Sequence, residues 1–388
     1  MNVVHIIIGL NVGGAELMLK RLVDSQPENS EWQHTVVSLT GVGKVGAQLR
    51  AGGYEVHALG LCSAAGVPLV LWKLTRFLRH RCPDIVQTWM YHADLLGGLG
   101  ARMAGIKNVI WGIRTTDVSA GGARATAGVR WLCARFSPWI PHTIVCAAEA
   151  SRRVHVELGY RADCMTVVPN GFDLLRLQAT PEQVAGLRSA CGFSADTVVV
   201  GTLGRFNAVK DPDNFVRAAG LLAREYPGAR FLMVGRDCDA ANDQLMGLIK
   251  ATGYADRFVL LGERSDAPVC LAAMDVFCLS SRTEGFPNVV GEAMAMRKVC
   301  VVTDVGDAAY LLGECGVVVP REDSAALAEG MSKLVGLSVA DRDFLGAQAH
   351  ARIATEFTMD RTRERFEAVY ANVLSGQASK QVNRNKQG

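Results

Sequence analysis

The sequence predicts an α/β protein with two doubly wound domains, each built on a parallel sheet. Short apolar runs with β-branched and aromatic residues alternate with longer patterns of helical periodicity, and this alternation is typical of βαβ units. At 388 residues the chain exceeds one ordinary core. A cluster of turn residues at 168–173, VPNGFD, interrupts the alternation near the middle of the chain. Two domains of similar size follow from these observations.

The composition excludes several other classes of protein. Hydrophobic residues make up 49% of the chain and charged residues 20%, as in ordinary globular proteins. No apolar run approaches the roughly 18 residues of a membrane-spanning helix, and the first residues resemble a buried strand more than a signal peptide. Eleven scattered cysteines without a Cys-x-x-Cys pair favour reduced thiols over a disulfide framework or a zinc site. We therefore expect a cytoplasmic protein.

The first domain opens with a strand at residues 3–8, a glycine-rich turn that ends in Gly13 and Gly14, and a helical pattern over 15–23. Glycines at the carboxyl end of a strand let the backbone approach a phosphate or a sugar closely. Further strands are predicted at residues 35–39, 55–59, 84–88, 108–113, 143–147 and 165–168.

A nicotinamide-dependent enzyme is disfavoured. The dinucleotide fingerprint G-x-G-x-x-G occurs once, at Gly41, Gly43 and Gly46. The next predicted strand, residues 55–59, runs into Gly60 without the acidic residue that would hold a ribose. The match is therefore isolated.

Two amphipathic segments give the first domain a basic character. Residues 68–81 combine an apolar face with a basic one, and residues 129–139 repeat the mixture of arginine and aromatic residues. Residues 1–172 carry 17 Lys and Arg against 11 Asp and Glu. These segments are either packed helices with solvated charged faces or a surface that docks on an anionic membrane, where each basic residue contributes about 1 kcal/mol.

His92 lies in the stretch QTWMYHAD, which follows the strand predicted at residues 84–88. A helical pattern begins there, so His92 is placed where a strand ends and a helix starts. This is the ligand edge of an open parallel sheet. The two alternatives are a histidine with a structural role in the core and one that contacts a ligand.

The second domain begins with a strand at residues 198–202 and the loop LGRFNAVKDP. Asp211 is a suitable N-cap and Pro212 a suitable first helical residue, so we expect the next helix to start there. Arg205 and Lys210 then flank a helix N-terminus, where unpaired amides already favour an anion. These residues predict a diphosphate site that needs no metal.

The strand series continues through the second domain. Arg236 and Arg264 follow two of its strands at the expected ligand edge. The later strands are predicted at residues 230–235, 257–262, Val276–Leu279, Val299–Thr303 and 317–319.

Residues 280–296, SSRTEGFPNVVGEAMAM, connect a short apolar strand to an Ala/Met-rich helical pattern. Gly285 lets the backbone approach a ligand, and Asn288 is a suitable N-cap. Glu284 lies in the loop and Glu292 about one turn into the helix, so both carboxylates are expected to face one cleft. This combination suits a ligand with hydroxyl groups at both ends and phosphate in the middle.

The pair Glu284 and Glu292, with Gly-Phe-Pro after the first glutamate, resembles the signature of retaining glycosyltransferases of family 4, which have the GT-B fold. The loop GRFNAVKD is similar to the phosphate-binding loop of that family, and WMYHAD to the region of its histidine beside the donor sugar. The resemblance covers nearly the whole chain. Arg297 and Lys298 stand where many relatives have Gly-x-Pro.

The resemblance implies two Rossmann-like domains that face each other across a cleft. Residues 1–170 would bind the acceptor and residues 171–357 the nucleotide sugar. Residues 358–374 would form a helix that packs back on the first domain. Residues 375–388 are rich in Gln, Lys and Asn and are predicted to be a disordered tail.

The implied reaction moves a hexose from a UDP- or GDP-sugar to a hydroxyl of a saccharide acceptor with retention of the anomeric configuration. In this reaction Arg205 and Lys210 would neutralise the leaving diphosphate. Glu284 would hold sugar hydroxyls and His92 would orient the sugar. The other implied donor contacts are Gly204, Gly285, Phe286, Pro287, Asn288, Val289, Glu292, Arg236 and Arg264, and Gly13 and Gly14 line the acceptor side.

The implied acceptor is a lipid-linked saccharide in cell-surface polysaccharide biosynthesis. The basic first domain would then contact the inner face of the membrane peripherally, and no nucleic acid is expected as a partner. No metal or other cofactor is expected, because the two Asp-x-Asp pairs, Asp211/Asp213 and Asp237/Asp239, are better interpreted as a helix cap and a solvated loop. The alternatives are a sugar-nucleotide epimerase on the same fold and a non-catalytic nucleotide-sugar-binding protein.

Overall fold

The computed structural model describes residues 1–116 and 124–384, and the chain divides into two compact units. The first unit combines Met1–Gly171 with Met359–Gly388, and the second is Phe172–Thr358. The chain therefore leaves the first unit after residue 171 and returns to it at residue 359.

The described part of the first unit contains a sheet of seven parallel strands. The strands and the helices between them are β1 (Asn2–Ile7), α1 (Gly14–Asp24), β2 (Gln33–Ser38), α2 (Gly43–Ala51), β3 (Glu55–Ala58), α3 (Val67–Arg81), β4 (Ile85–Trp89), α4 (Tyr91–Met103), β5 (Val109–Ile113), α5 (Arg124–Phe136), β6 (Thr143–Cys146), α6 (Glu149–Glu157) and β7 (Met165–Val167). The strand order is β3-β2-β1-β4-β5-β6-β7.

Helices cover both faces of this sheet. β4 and β5 are buried at every position, as expected for parallel strands enclosed on both sides. On one face the buried residues of α3, α4 and α5 pack together, and on the other those of α1 and α2 pack with residues from the C-terminal part of the chain.

The second unit follows the same plan, with six parallel strands in its sheet. Its elements are α7 (Pro181–Ala190), β8 (Val199–Leu203), α8 (Pro212–Glu225), β9 (Arg230–Val234), α9 (Asp243–Ala251), β10 (Phe258–Leu260), α10 (Ala267–Ala273), β11 (Val276–Leu279), α11 (Asn288–Ala295), β12 (Val299–Thr303), α12 (Ala308–Leu312), β13 (Gly316–Val319), α13 (Ser324–Val335) and α14 (Val339–Glu356). The strand order is β10-β9-β8-β11-β12-β13.

The last helix, α15 (Met359–Arg384), belongs to the first unit. It buries Phe366, Tyr370 and Val373 completely in the same core cluster as Trp89 of β4. The Tyr370 hydroxyl donates a hydrogen bond to the side-chain carbonyl of Gln87. This helix therefore completes one face of the first sheet.

The prediction of a disordered tail from residue 375 is wrong as far as residue 384, because α15 continues to Arg384. Extending an existing helix adds one hydrogen bond per residue without a new nucleation step. The added residues include the good helix formers Gln, Ala, Lys and Arg. Residues 385–388 of the predicted tail lie outside the described residues.

Every strand that the sequence predicts is present, with its ends within two residues of the predicted ones. The predicted α/β class with two parallel sheets is confirmed. The isolated G-x-G-x-x-G match has a local structural reason, because Gly43 has a φ of 59° and a Cβ on it would lie 2.3 Å from the Leu10 carbonyl oxygen. In the part of the chain that the structure describes, no helix is long and apolar enough to cross a membrane.

Each sheet has one topological switch point, where the chain stops adding strands on one side and begins on the other. In the first unit it lies between β1 and β4, and in the second between β8 and β11. Loops that leave the carboxyl ends of two such strands diverge and open a crevice for ligands. Apart from Arg236 and Arg264, the predicted site residues lie after these four strands, in the loops or in the helices that follow them.

Candidate active site

The loop between β8 and α8 is fixed by two side-chain caps. Asn207 accepts a hydrogen bond from the Val209 amide at 2.8 Å, and Asp211 caps α8 by accepting one from the Asn214 amide. Pro212 is the first residue of α8, so the predicted start of this helix is confirmed. Lys210 is held between the two caps.

Lys210 forms an ion pair with Glu284 in the loop after β11. Lys210 Nζ lies 2.6 Å from Glu284 Oε1, and Ser281 Oγ donates to the same oxygen at 2.6 Å. Ser280 Oγ donates to the Lys210 carbonyl at 2.9 Å. The two side chains are only 31% and 12% exposed, so this charge-assisted contact is partly shielded from water. The structure brings together two of the predicted catalytic residues, which are 74 positions apart in the sequence.

Arg282 joins the same two loops by a second ion pair. Its Nε lies 2.9 Å from Asp211 Oδ2, and its Nη2 donates to Asp211 Oδ1 at 3.1 Å. The Arg282 amide also donates to the Val209 carbonyl at 2.9 Å. The Asp211 carboxylate therefore caps α8 and anchors the neighbouring loop. Arg282 was missed in the sequence, although it lies within the predicted site stretch, because its partner is distant in the chain.

Arg205 and Lys210 border one small cavity of about 20 Å³, together with Ser280 and Ser281. Arg205 is exposed, and Gly204 before it donates from its amide to the Val234 carbonyl at 2.8 Å. The two predicted cations thus lie at the same end of the second sheet. They place positive charge beside the start of α8, where the helix dipole adds to it.

Helix α11 begins at Asn288, and Pro287 occupies the position before it without a side-chain cap. The expectation that Asn288 is the N-cap is therefore wrong. The Pro287 carbonyl accepts from the Val290 amide at 3.0 Å, so it opens the helix in place of the asparagine. Amides in the first turn of a helix have no acceptor within the helix and point outward, toward the end of the sheet that carries Glu284.

Among the other predicted residues of the stretch 280–296, one is buried in the protein interior and two are partly exposed at the start of α11. The Phe286 ring is 7% exposed and stacks on Phe172 at a centroid distance of 6.2 Å, so its side chain supports the loop. Val289 and Glu292 are half-buried in the first two turns of α11.

The glycine turn after β12 contacts the backbone of the loop that contains Glu284. The Asp307 amide donates to the Gly285 carbonyl at 2.9 Å. Gly306 has a φ of 57°, and a Cβ on it would lie 2.3 Å from the Glu284 carbonyl oxygen. Only glycine allows this approach. Gly306 therefore lies against the backbone of Glu284.

Arg236 and Arg264 follow β9 and β10, as predicted, but each has a carboxylate partner. Arg236 pairs with Glu263 at 3.2 Å and Arg264 with Asp266 at 2.6 Å. The backbone of Arg236 does contact the phosphate loop, because its carbonyl accepts from the Phe206 amide at 2.8 Å. The segment after β9 therefore contacts the predicted phosphate loop through its main chain. The guanidinium groups of Arg236 and Arg264 pair with Glu263 and Asp266 instead.

In the first unit, the predicted residues lie after the adjacent strands β1 and β4. Gly13 precedes α1 and Gly14 is its first residue. His92 is the second residue of α4 and is half-buried. Burial lowers the pKa of the His92 imidazole, which favours the neutral ring at pH 7. A neutral imidazole can donate one hydrogen bond and accept another.

The turn before His92 is strained. Met90 has a φ of 72° and a ψ of 159°, a region that side-chain-bearing residues rarely adopt. Its amide donates to the Gly112 carbonyl at 2.8 Å, and its carbonyl accepts from the Asp94 amide at 2.8 Å. This backbone geometry turns the chain sharply from β4 into α4 and fixes the position of His92.

Asp94 anchors α4 to the sheet from a fully buried position. Its Oδ1 accepts from Thr88 Oγ1 at 2.5 Å and from the Gly112 amide at 3.2 Å. Burial raises the pKa of the Asp94 carboxyl to about 7, although these hydrogen bonds oppose the increase. Asp94 therefore acts on the site through the placement of α4.

Arg114, directly after β5, was also missed. Its guanidinium carbon lies 5.3 Å from the centre of the Trp89 ring and 5.9 Å from that of Phe366, and its Nη2 donates to Asn170 Oδ1. Burial lowers the pKa of Arg114 to about 10. Neither aromatic partner is near Arg114 in sequence, so no local pattern marks this cation.

Residues 1–116 and 124–384 contain no group of three or more His, Cys, Asp or Glu side chains that could hold a metal ion. Of the two Asp-x-Asp pairs, Asp211 is engaged by Arg282 and by the start of α8. Asp239 accepts from the Ala241 amide at 2.9 Å.

Solved structures share this architecture. Anabaena Alr3699/HepE in complex with UDP superposes with a TM-score of 0.83 at 19% identity, over 96% of this chain and all of that one. WaaG, a glycosyltransferase involved in lipopolysaccharide biosynthesis, superposes with a TM-score of 0.66 at 14% identity, over 94% of this chain and 98% of that one. The fold is the GT-B fold of nucleotide-sugar glycosyltransferases.

Sequence comparisons match two long stretches of the chain to families of glycosyltransferases. Residues 12–176 match the family described as Glycosyltransferase Family 4, and residues 197–336 match the one described as Glycosyl transferases group 1. The chain is 29% identical over 269 residues to a lipopolysaccharide core biosynthesis mannosyltransferase of Rhizobium leguminosarum bv. viciae, covering 67% of this chain and 72% of the relative. It is 27% identical over 239 residues to the UDP-Gal:alpha-D-GlcNAc-diphosphoundecaprenol alpha-1,3-galactosyltransferase of Escherichia coli, covering 61% of each. Both family matches describe glycosyltransferases, and together they extend over most of the chain.

Proposed function

We propose that this protein transfers a hexose from a nucleotide diphosphate sugar to a hydroxyl of a saccharide acceptor, with retention, in the biosynthesis of a cell-surface polysaccharide. The observation that carries the proposal is the cluster of Arg205, Lys210 and Glu284 at the switch point of the second sheet. Both family matches and the named transferase activities of the relatives support it.

The charges of the cluster suit the chemistry of transfer. Breaking the bond between the anomeric carbon and the phosphate places negative charge on the leaving diphosphate. Arg205 and Lys210, together with amides at helix starts, neutralise that charge as it develops. Glu284 is already held in place by Lys210 and Ser281, so its carboxylate accepts hydrogen bonds from the sugar without reorganising.

The other predicted roles complete the donor site. Glu292 accepts hydrogen bonds from the ribose, one turn along α11, and His92 orients the transferred sugar. The leaving phosphate takes the proton of the acceptor hydroxyl, so a protein base is not needed. Fixed cations replace a divalent metal at the diphosphate, and we propose activity without a metal cofactor.

We propose a lipid-linked saccharide as the acceptor and peripheral contact with the inner membrane face. The E. coli relative is named for a diphosphoundecaprenol-linked substrate. In the first unit, helices α3 and α5 and the residues after α5 expose large apolar side chains among basic ones. These are Leu69, Trp72, Trp131 and Trp139, each at least 55% exposed. Such a surface suits anionic headgroups and the membrane interface.

The test is a transfer assay with a panel of UDP- and GDP-sugars and with lipid-linked and soluble saccharide acceptors. NMR of the product identifies the anomeric configuration. Lys210→Met should lower turnover about 100-fold or more, because oriented charge at a leaving group contributes several kcal/mol. Lys250→Met, at an exposed position on α9, is the matched control and should leave turnover unchanged.

Two outcomes would contradict the proposal. One is near-normal transfer by the Lys210→Met enzyme. The other is formation of a new sugar nucleotide from the donor in the absence of any acceptor, which would indicate an epimerase.

A further inference from the structure

The first unit contains a cavity of about 730 Å³, which lies away from the residues of the candidate active site. It runs along β7 and the segments that lead into β6 and β7, and one face of α15 closes it. Gly13 and His92 follow the carboxyl ends of their strands, whereas this cavity includes the amino-terminal ends of β6 and β7. It is therefore separate from the proposed acceptor side.

Positive charge dominates the lining of this cavity. Arg102, Arg161 and Arg365 line it together with His142, and Asp163 is the one carboxylate among its described lining residues. Asp163 is engaged by Arg161 at 2.6 Å. With the histidine neutral, the lining carries two positive charges in excess of its negative charge.

A hydrogen bond to main chain holds the Arg102 guanidinium at the wall of this cavity. Its Nη2 donates to the Trp139 carbonyl at 2.7 Å. Its Nε is buried, with no hydrogen-bond partner among the residues that the structure describes. No carboxylate therefore neutralises Arg102 through these contacts, and a partly buried cation of this kind favours an anion nearby.

Apolar side chains and main chain at the edge of the sheet form part of the remaining lining. Trp139, Met165 and Val369 contribute apolar walls. β7 is the last strand in the order and pairs with β6 alone among the described strands, so its outer peptide groups are not used in the sheet. A volume of this size exceeds one phosphate and suits an anion with an attached organic group.

The cavity also adjoins the exposed aromatic surface of the first unit. Trp139 lines it and is 56% exposed, and the Arg135 guanidinium lies 4.8 Å from the centre of its ring. A ligand held at the proposed membrane surface would thus find the cavity beside it.

We propose that this cavity binds a phosphate ester through Arg102, Arg161 and Arg365. The phosphate comes either from the headgroup of an anionic lipid or from a soluble phosphorylated metabolite. Binding does not depend on the proposed transfer reaction, so it can be tested without a sugar donor.

The first experiment measures binding of the full chain to two probes. Vesicles of phosphatidylglycerol and phosphatidylcholine are compared with vesicles of phosphatidylcholine alone by co-sedimentation, and glycerol 3-phosphate is titrated by calorimetry. Binding to the anionic vesicles alone identifies the lipid source, and binding of glycerol 3-phosphate alone identifies the soluble one. Either result supports the proposal if the two cavity variants described next weaken binding and the control variant does not.

Two variants examine the cavity in different ways. Arg161→Gln with Arg365→Gln removes two charges and should weaken binding at least about tenfold. Lys44→Gln with Arg153→Gln removes two charges from exposed positions of the same unit and should change binding less than about twofold. Ala368→Trp fills the cavity from an exposed position on α15, keeps the charge constant and should also abolish binding.

The proposal is overturned if neither probe binds, or if Ala368→Trp binds as the unmodified protein does. Vesicle binding that survives Ala368→Trp would leave a general membrane contact intact and exclude the cavity. Loss of transfer activity alone bears only on the proposed function, because these experiments measure binding.

Discussion

The buried carboxyl of Asp94 makes the stability of the first unit depend on pH. Its pKa is about 7 in the folded protein, against 3.8 for an ordinary aspartate. The folded state therefore holds a proton between these two values that the unfolded chain has released. The stability that Asp94 contributes is fully present below about pH 4 and is lost as pH rises through 7. A difference of about three pH units corresponds to about 4 kcal/mol.

Asp94→Asn removes this dependence and keeps the shape of the side chain. Asparagine has no titration, and its Oδ1 can accept the same hydrogen bonds from Thr88 and Gly112. Relative to the unmodified protein, the variant should therefore gain about 4 kcal/mol of unfolding free energy between pH 4 and pH 8. The pKa of His34 and that of His155 are lowered to about 4 by burial. These two histidines make stability rise with pH, which is the opposite of the effect of Asp94. Because both histidines are present in the unmodified protein and in the variant, their effect cancels when the two unfolding free energies are subtracted.

The assay is urea unfolding followed by tryptophan fluorescence at several pH values. All six tryptophans of the chain lie within residues 32–139, so the signal reports on the first unit alone. A difference between the two proteins that stays constant from pH 4 to pH 8 would refute the reasoning, because it would mean that Asp94 has the same pKa in both states.

Three further predictions concern the second unit. Gly291→Ala should destabilise it by about 1–3 kcal/mol in urea unfolding followed by circular dichroism, because the new Cβ would lie 2.0 Å from Phe172 Cζ. Gly186→Ala, which meets nothing within 4 Å, should instead stabilise the helix by about 0.5–1 kcal/mol, and equal effects of the two substitutions would contradict this account. Glu284→Gln removes the charge that pairs with Lys210 and should lower kcat about 100-fold in the transfer assay; an unchanged kcat would exclude its role at the sugar. Treatment with EDTA should leave the initial rate within about twofold, whereas loss of activity restored by magnesium or manganese would show that a metal is required.

The sequence predicted the strands well because parallel strands enclosed on both faces are nearly continuous apolar runs. The start of α8 could also be predicted from the sequence, because the helix-start signals Asp211 and Pro212 act within one turn of the helix. Asn288 was misassigned although it is a good capping residue, because the Pro287 carbonyl before it already accepts the first bond of the helix. Local rules thus fix the start of α8 but do not decide between the adjacent residues Pro287 and Asn288 at the start of α11.

Contacts between distant segments could not be derived in the same way. Lys210 and Glu284 were each predicted, yet their contact depends on β8 and β11 being neighbours, which the order of the elements along the chain does not reveal. Arg282 and Arg114 were missed for the same reason, because their partners lie on other strands and helices. The family resemblance supplied the roles of the first pair but gave no information about these two arginines.

The placement of α15 has a consequence for how the protein is made. The ribosome completes the entire second unit before it synthesises the residues that cover Trp89 and Gln87. Until then the nascent first unit exposes an apolar face, and the buried side chain of Gln87 lacks its hydrogen bond from the Tyr370 hydroxyl. The first unit therefore stays incompletely folded while the second unit is synthesised. The first unit therefore completes its folding only after the second unit has been synthesised, and chains released before that point would keep this apolar face exposed.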